Sequence, residues 1–143
     1  MPGEATARIF VQQRNRTECG PAALTMVLKY LGYKVSLDEL VGRLPMASDG
    51  TSAAAILEVA RSYGLRCRGG QIHANELIAL PPFSILHWQN KHFVVLQRAT
   101  RSRVRILDPA RGVRSLSLFD AGKSFSGVAL VFAADRRCRP RPK

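Results

Sequence analysis

The sequence is poor in cysteine. Its three cysteines, Cys19, Cys67 and Cys138, are odd in number and widely spaced, which does not fit a disulfide framework. No Cys-x-x-Cys pair or Cys/His cluster has a spacing typical of zinc. We therefore expect a chain that folds in a reducing compartment without disulfides and without a metal ion.

Long apolar runs are also missing. Nowhere does the chain have about 18 consecutive apolar residues, and residues 1–16 lack an apolar core of signal-peptide length. The hydrophobic content of 46% and the mean hydropathy of -0.05 are typical of a globular chain. At 143 residues, one domain with its own core is expected. The chain as given is expected neither to cross a membrane nor to carry an export signal.

Acidic residues are scarce: ten Asp and Glu stand against 22 Lys and Arg, a net charge of +12. Such an excess raises the possibility of a nucleic-acid or anionic-membrane partner. Much of it is local, however. Five basic residues lie in the tail 136–143, and Arg101, Arg103 and Arg105 alternate along one predicted strand, so they share a face. Because no nucleic-acid-binding motif accompanies the charge, we expect a solvated basic face and no nucleic-acid partner.

The most informative stretch surrounds Cys19, which precedes Gly20 and Pro21. Apolar residues then follow at helical spacing, and Gly32 is a typical helix stop. These apolar residues are Leu24, Val27, Leu28 and Leu31. Cys19 is thus predicted at a helix N-terminus, where free N–H groups and the helix dipole stabilise a thiolate. It is either a nucleophile or a small buried hydrophobe.

Helical patterns occupy the first half of the chain. Further helices are predicted at 37–44, opened by a capping box of Ser36 and Glu39, at 53–63, and at about 73–80. From residue 83 the pattern changes to short strands separated by turns, at 83–88, 93–96, 103–107, 113–118 and 127–132. Residues 9–11 are expected to pair at a sheet edge. Helices followed by an antiparallel meander predict an α+β fold.

One motif is a near miss. Gly122-Lys123-Ser124 resembles the end of a phosphate-binding P-loop, but that motif needs a glycine five positions before Gly122. Residue 117 is a serine. We therefore exclude nucleotide binding by this chain.

Three histidines are candidate partners for the thiol. His73 opens a surface helix and His87 lies within a strand, so both are expected to be structural. His92 begins an apolar strand, and Asp108 ends the next strand. In a meander these two strand ends are adjacent. An imidazole held by a carboxylate presents its other nitrogen to Cys19, and this chain order of Cys, His and Asp is the papain-like arrangement.

Six ordered segments carry a family resemblance. They are Gln13 to Ala22 with Glu18-Cys19-Gly20-Pro21 inside it, Gly50-Thr51, Ile85-Leu86-His87-Trp88, His92-Phe93-Val94-Val95-Leu96, Asp108-Pro109-Ala110-Arg111-Gly112 and Ser126-Gly127-Val128-Ala129-Leu130. Together they resemble the bacteriocin-processing cysteine peptidases, which are the N-terminal domains of peptidase-containing ABC transporters. The resemblance runs over residues 8–133.

The resemblance implies a role for each matching residue. Cys19 is the nucleophile, His92 the general base and acid, and Asp108 the residue that orients His92. Gln13, six residues before Cys19, donates to the oxyanion hole together with the Cys19 backbone N–H. Gln12 is adjacent, but the spacing favours Gln13. No cofactor is implied for the peptidase chemistry, because ATP would be used only by the transporter domains.

The resemblance also implies the biology. Residues 1–135 would form a papain-like leader peptidase domain, and residues 136–143 a basic tail or linker. The substrate would be a precursor peptide whose amphipathic helical leader ends in Gly-Gly or Gly-Ala, since glycines suit a narrow cleft. The partners would be the transmembrane and nucleotide-binding domains of an ABC exporter, at the cytoplasmic side of the bacterial inner membrane.

Three alternatives stay open at this point. The chain could be a leader-binding module whose triad is idle, because some relatives have lost the cysteine. It could also be a basic nucleic-acid-binding domain, which steeply salt-dependent oligonucleotide affinity would reveal. The last alternative is another papain-like reaction, such as amide transfer.

Overall fold

The computed structural model describes residues 8–45 and 50–134. The predicted basic tail 136–143 lies outside them. The helices are α1 (Cys19–Tyr30), α2 (Leu37–Arg43), α3 (Ala53–Ser62), a 3₁₀ helix (Ala74–Ala79) and α4 (Leu118–Ser124). The strands are β1 (Leu65–Gln71), β2 (Ser84–Trp88), β3 (His92–Ala99), β4 (Arg103–Asp108), β5 (Gly112–Ser117) and β6 (Phe125–Ala134).

The strands form one antiparallel sheet in the order β1-β6-β2-β3-β4-β5. Strands β2 to β5 make the predicted meander, whereas β6 returns to insert between β1 and β2. Helix α1 packs across β3, near the middle of the sheet. One face of the sheet forms a core with α1, α2 and α3. The opposite face forms a second core beneath the 3₁₀ helix and α4. The predicted α+β class is confirmed.

Helix α1 is the central element of the first core. Its first ten residues are buried, and Gly32, with φ +97°, closes its C-terminal end as predicted. Pro21 is the third helical residue, within the first turn, whose N–H groups have no intrahelical acceptor. Burial on all sides fixes the N-terminus of this helix, and therefore the position of Cys19.

The predicted starts of α2 and α3 are confirmed. The Ser36 hydroxyl accepts a hydrogen bond from the Glu39 N–H at 3.2 Å. At α3, the cap is Ser52, whose hydroxyl accepts from the Ala55 N–H at 3.1 Å. Gly64, with φ +90°, follows the end of α3. Local cap chemistry thus determined both helix starts.

The structure differs from the sequence predictions in four places. Residues 9–11 do not pair at a sheet edge: Ile9 is helical, and the three side chains pack against the first core, so burial replaces strand pairing. Strand β1 was missed because two arginines and two glycines hide its pattern, and only Leu65 is buried. Helix α4 was missed because Gly122 lies inside it. Finally, the predicted helix at 73–80 is a 3₁₀ helix.

Candidate active site

Cys19 is the first residue of α1, and it is 4% exposed. The neighbouring Gly20 lets the helix approach the 50–51 segment, since a Cβ at this position would lie 3.0 Å from Cγ2 of Thr51. The thiol therefore lies at a helix N-terminus, where the positive end of the helix dipole favours an anion.

His92 is the first residue of β3 and follows a tight turn. Gln89 and Asn90 both have positive φ in this turn. The Gln89 N–H donates to the Ser124 carbonyl at 2.6 Å, and the Asn90 N–H donates to the Ser126 hydroxyl at 2.7 Å. These bonds hold the turn against the end of α4 and the start of β6. The position of the imidazole is thus fixed by two neighbouring elements.

Asp108 is the last residue of β4 and lies at the end of the sheet where β3 begins. Its Oδ1 lies 2.7 Å from Nε2 of His92 and accepts the Ala110 N–H at 2.9 Å. Arg114 Nη1 lies 3.6 Å from Oδ2. The side chains of Asp108 and His92 are 3% and 16% exposed. The antiparallel register of β3 and β4 brings these two groups together, at the strand ends that the sequence indicated.

The electrostatics follow from these contacts. Burial alone would lower the pKa of His92, but hydrogen bonds and charge interactions with Asp108 and Cys19 outweigh it and raise the pKa to about 9. Burial would raise the pKa of Asp108, yet the hydrogen bonds from His92 and from the Ala110 N–H lower it. Because Nε2 is engaged by Asp108, Nδ1 is the nitrogen left for Cys19. The site favours a charged imidazolium beside the Asp108 carboxylate.

Gln13 lies on the loop that leads into α1. Its backbone N–H donates to the Pro109 carbonyl at 3.0 Å, which ties this loop to the turn after Asp108. The Gln13 Nε2 donates to the Asn15 carbonyl at 2.9 Å, and its buried Oε1 has no partner among the described residues. Gln13 and His92 line the same cleft, whereas Gln12 is exposed.

A charge network that sequence reasoning missed holds this loop. Glu18 is 4% exposed and accepts the Arg14 N–H at 2.8 Å. The Arg14 guanidinium donates to both carboxylate oxygens of Glu18, at 3.1 and 2.9 Å, and to Asp38 of α2 at 2.6 Å. These hydrogen bonds from Arg14 lower the pKa of Glu18. The available signal was an arginine four residues before an acidic residue at a helix start.

Two clefts lie close to the start of β3. The apolar cleft, of about 590 Å³, is lined mostly by apolar atoms, and its walls include Gly50, Thr51, Ala53, His87, Phe93 and Val128. The basic cleft, of about 500 Å³, has Gln13, Arg16, Lys91, His92, Arg111 and Arg114 in its walls, together with Asp108. Lys91 lines both clefts. Gln13, His92 and Asp108 thus line one cleft, and a second cleft shares Lys91 with it.

The other two histidines occupy structural positions, as expected. His73 is exposed before the 3₁₀ helix. The His87 ring lies 5.2 Å from the Phe93 ring, and burial lowers the pKa of His87. In the described ranges, no group of three His, Cys, Asp or Glu residues could hold a metal ion. No helix of the described chain is long and apolar enough to cross a membrane.

Known proteins are similar to this chain in sequence and in fold. A family model for the peptidase C39 family matches residues 8–137. The colicin V secretion/processing ATP-binding protein of Escherichia coli is 35% identical over 120 residues, which are 84% of this chain and 17% of that protein. A probable functional amyloid protease of Pseudomonas aeruginosa is 33% identical, over 87% of this chain and 59% of that protein. The chain thus spans about a sixth of the length of the colicin V relative.

A solved structure agrees with these matches. It is a double glycine motif protease from an AMS/PCAT transporter, in complex with the leader peptide, and it is 33% identical with a TM-score of 0.83. The alignment covers 88% of this chain and 91% of that one. The peptidase domain of Streptococcus ComA, at 24% identity and a TM-score of 0.80, shares the fold. The chain therefore belongs to the peptidase C39 family and is a cysteine peptidase domain.

Proposed function

We propose that this chain is an endopeptidase that removes the leader from bacteriocin- or microcin-type precursors after a Gly-Gly or Gly-Ala pair, coupled to export by an ABC transporter. The observation that carries the proposal is the 2.7 Å contact of His92 with Asp108, together with the hydrogen bond between the same imidazole and Cys19. The relatives named for colicin V processing and for a double glycine motif support the substrate class.

The catalytic step is acyl transfer. The Cys19 thiolate attacks the carbonyl carbon of the second glycine, and the C–S bond forms as the carbonyl oxygen becomes an anion. The Gln13 amide and the Cys19 backbone N–H donate to this oxyanion. The C–N bond then breaks, and protonated His92 gives its proton to the leaving amine. Asp108 holds the imidazole in position for both transfers.

Deacylation completes the cycle. Neutral His92 takes a proton from water, whose oxygen attacks the thioester carbonyl. The C–S bond breaks, the leader leaves as a free acid, and the thiolate and imidazolium are restored. No residue outside the four named here is needed for proton transfer, and no metal or cofactor enters the reaction.

The direction of the bound peptide follows from this chemistry. His92 must reach the leaving amine, and it lines the basic cleft, so the residues after the cleaved bond lie on that side. The leader then occupies the apolar cleft, between the 50–52 segment and Phe93. Its apolar helix face suits such a groove. Glycines before the cleaved bond have no Cβ, which suits a peptide that passes close to Thr51 in the cleft wall. Thr51 itself lies close to Gly20 of α1.

The proposed partners come from the same relatives. The transmembrane and nucleotide-binding domains of an ABC exporter would hold this domain at the cytoplasmic side of the bacterial inner membrane and would use the ATP. The colicin V relative is named as a secretion and processing ATP-binding protein, which supports this assignment.

The test uses synthetic precursors that carry Gly-Gly, Gly-Ala or a bulkier Val-Val pair before the same cargo. For the glycine-containing pairs, mass spectrometry should find leader and cargo as separate products, cut after the second residue of the pair. The summed mass of the two products should exceed that of the precursor by one water molecule. Cys19→Ala should bind the leader without cleaving it. Binding without cleavage by the unmodified chain would indicate an idle module, and a product mass showing amine transfer would indicate another reaction. Cleavage that ignores the pair contradicts the proposed specificity.

A further inference from the structure

The basic cleft carries a charge that the proposed chemistry does not use. Its walls contain four cations: Arg16, Lys91, Arg111 and Arg114. The one carboxylate in those walls is Asp108. Its Oδ1 is occupied by His92 and by a backbone N–H. The cleft is therefore strongly positive beside the proposed leaving group.

Three of these cations have no carboxylate partner in the described part of the chain. Arg114 lies 3.6 Å from Asp108, but no ion pair joins Arg16, Lys91 or Arg111 to a described acidic residue. Arg14, on the same loop as Arg16, differs sharply, because it binds two carboxylates. All three unpaired residues are exposed, so their charges face the open cleft.

The cations come from three separate segments. Arg16 lies on the loop before α1, Lys91 on the turn before β3, and Arg111 on the turn between β4 and β5. The backbone bond from Gln13 to Pro109 holds the first and third segments together. All three segments line one cleft, and an anion bound between like charges offsets their mutual repulsion.

We propose that this cleft binds carboxylate side chains in the first residues of the cargo, directly after the cleaved bond. This inference rests on the proposed function, because it takes the leaving-group side from the proton transfer of His92. The specificity of the enzyme then has two parts: the leader and its glycine pair on the apolar side, and acidic residues on the basic side. Arg16 and Arg111 are the residues that determine the second part.

The expected size of the effect is modest. Exposed charge pairs are weak individually, so two acidic cargo residues should raise kcat/KM by about three- to tenfold at low salt. The preference should shrink above roughly 0.5 M salt, because exposed charges are then screened over a few ångströms.

The experiment compares two precursors with identical leaders and Gly-Gly pairs. One carries Asp-Glu after the cleaved bond and the other Asn-Gln, which keeps the side-chain shapes. Each is given to the unmodified domain, to the double variant Arg16→Gln/Arg111→Gln, and to the double variant Arg103→Gln/Arg105→Gln, which removes the same charge from the exposed face of β4. We expect the acidic preference in the first and third proteins and its loss in Arg16→Gln/Arg111→Gln. The quantity compared is the ratio of kcat/KM for the acidic precursor to that for the neutral one, and only the control variant is expected to match the unmodified domain on both precursors.

Other outcomes overturn the inference. Equal cleavage of both precursors by the unmodified domain disproves the preference while leaving the proposed function intact. An acidic preference that survives in Arg16→Gln/Arg111→Gln contradicts the assignment to Arg16 and Arg111. If the two precursors are cleaved equally, and Arg16→Gln/Arg111→Gln abolishes binding to phosphatidylglycerol vesicles, the cleft faces a membrane instead. If neither precursor is cleaved, the proposed function and this inference fail together.

Discussion

The carboxylate of Glu18 accepts three hydrogen bonds from Arg14, one from its backbone and two from its guanidinium. The two residues enclose the loop that runs from Gln13 to Cys19. The same guanidinium reaches Asp38 on α2. Arg14 thus ties the loop to two carboxylates, the buried one of Glu18 and that of Asp38 on α2.

The first prediction concerns this contact. Replacing Glu18 with Gln keeps the shape but removes the charge, leaving Arg14 partly unpaired and the Gln13 amide less well positioned. We expect kcat to fall by about tenfold or more, because displacement of an oxyanion donor weakens stabilisation of the transition state. Steady-state kinetics measures this, and a change confined to KM would contradict the positioning role. Asp38→Asn is the matched control, since Asp38 is exposed and its loss should cost little.

The second prediction tests Gln13 against its neighbour. Gln13→Ala removes the proposed oxyanion donor and should lower kcat by about a hundred- to a thousand-fold. Gln12→Ala changes an exposed side chain of the same type and should leave kcat nearly unchanged. Single-turnover kinetics with a Gly-Gly precursor separates the chemical step from binding. The reverse order of the two effects would move the oxyanion role to Gln12.

The third prediction is the titration of His92. Its pKa of about 9 should appear as an NMR titration midpoint well above that of His87, whose pKa burial lowers. In Asp108→Asn the His92 midpoint should fall, because a neutral amide no longer favours the imidazolium. The His87 midpoint should stay where it is. A His92 midpoint that does not respond to Asp108→Asn would disprove the coupling.

The same shift predicts how stability depends on pH. The folded-state pKa of His92, about 9, lies above the ordinary value of 6.5, so protonated His92 stabilises the fold fully below about pH 6.5. This contribution is lost as the pH rises through 9. The difference in unfolding free energy between the unmodified chain and His92→Gln, measured with urea, should shrink over that range. A difference that grows with pH would contradict the assignment.

Local patterns were enough to predict some parts of the site. The helical period of the residues after Cys19 predicted α1, and with it the position of Cys19. In an antiparallel meander the start of one strand lies beside the end of the next, which predicted that His92 lies beside Asp108. Other parts depend on contacts between distant segments. Strand β1 is formed because β6 supplies its partner, and its own residues carry little signal. The contact of Arg14 with Asp38 joins residues that are far apart in the chain, and the basic cleft is lined by three separate segments whose positions depend on the whole sheet.

The last prediction uses two helical glycines in different surroundings. Gly42 of α2 has nothing within 4 Å of an added Cβ, whereas at Gly20 the added Cβ would lie 3.0 Å from Cγ2 and 3.2 Å from Cβ of Thr51. Gly42→Ala should therefore stabilise the fold by about 0.5–1 kcal/mol, through helix propensity alone. Gly20→Ala must push Thr51 outward, which offsets that gain and disturbs the wall of the apolar cleft. We expect Gly20→Ala to be the less stable variant in urea unfolding, and to raise KM for a leader-bearing precursor while Gly42→Ala leaves KM unchanged. Equal stability and equal KM in the two variants would show that the 50–51 segment yields freely and does not shape the cleft.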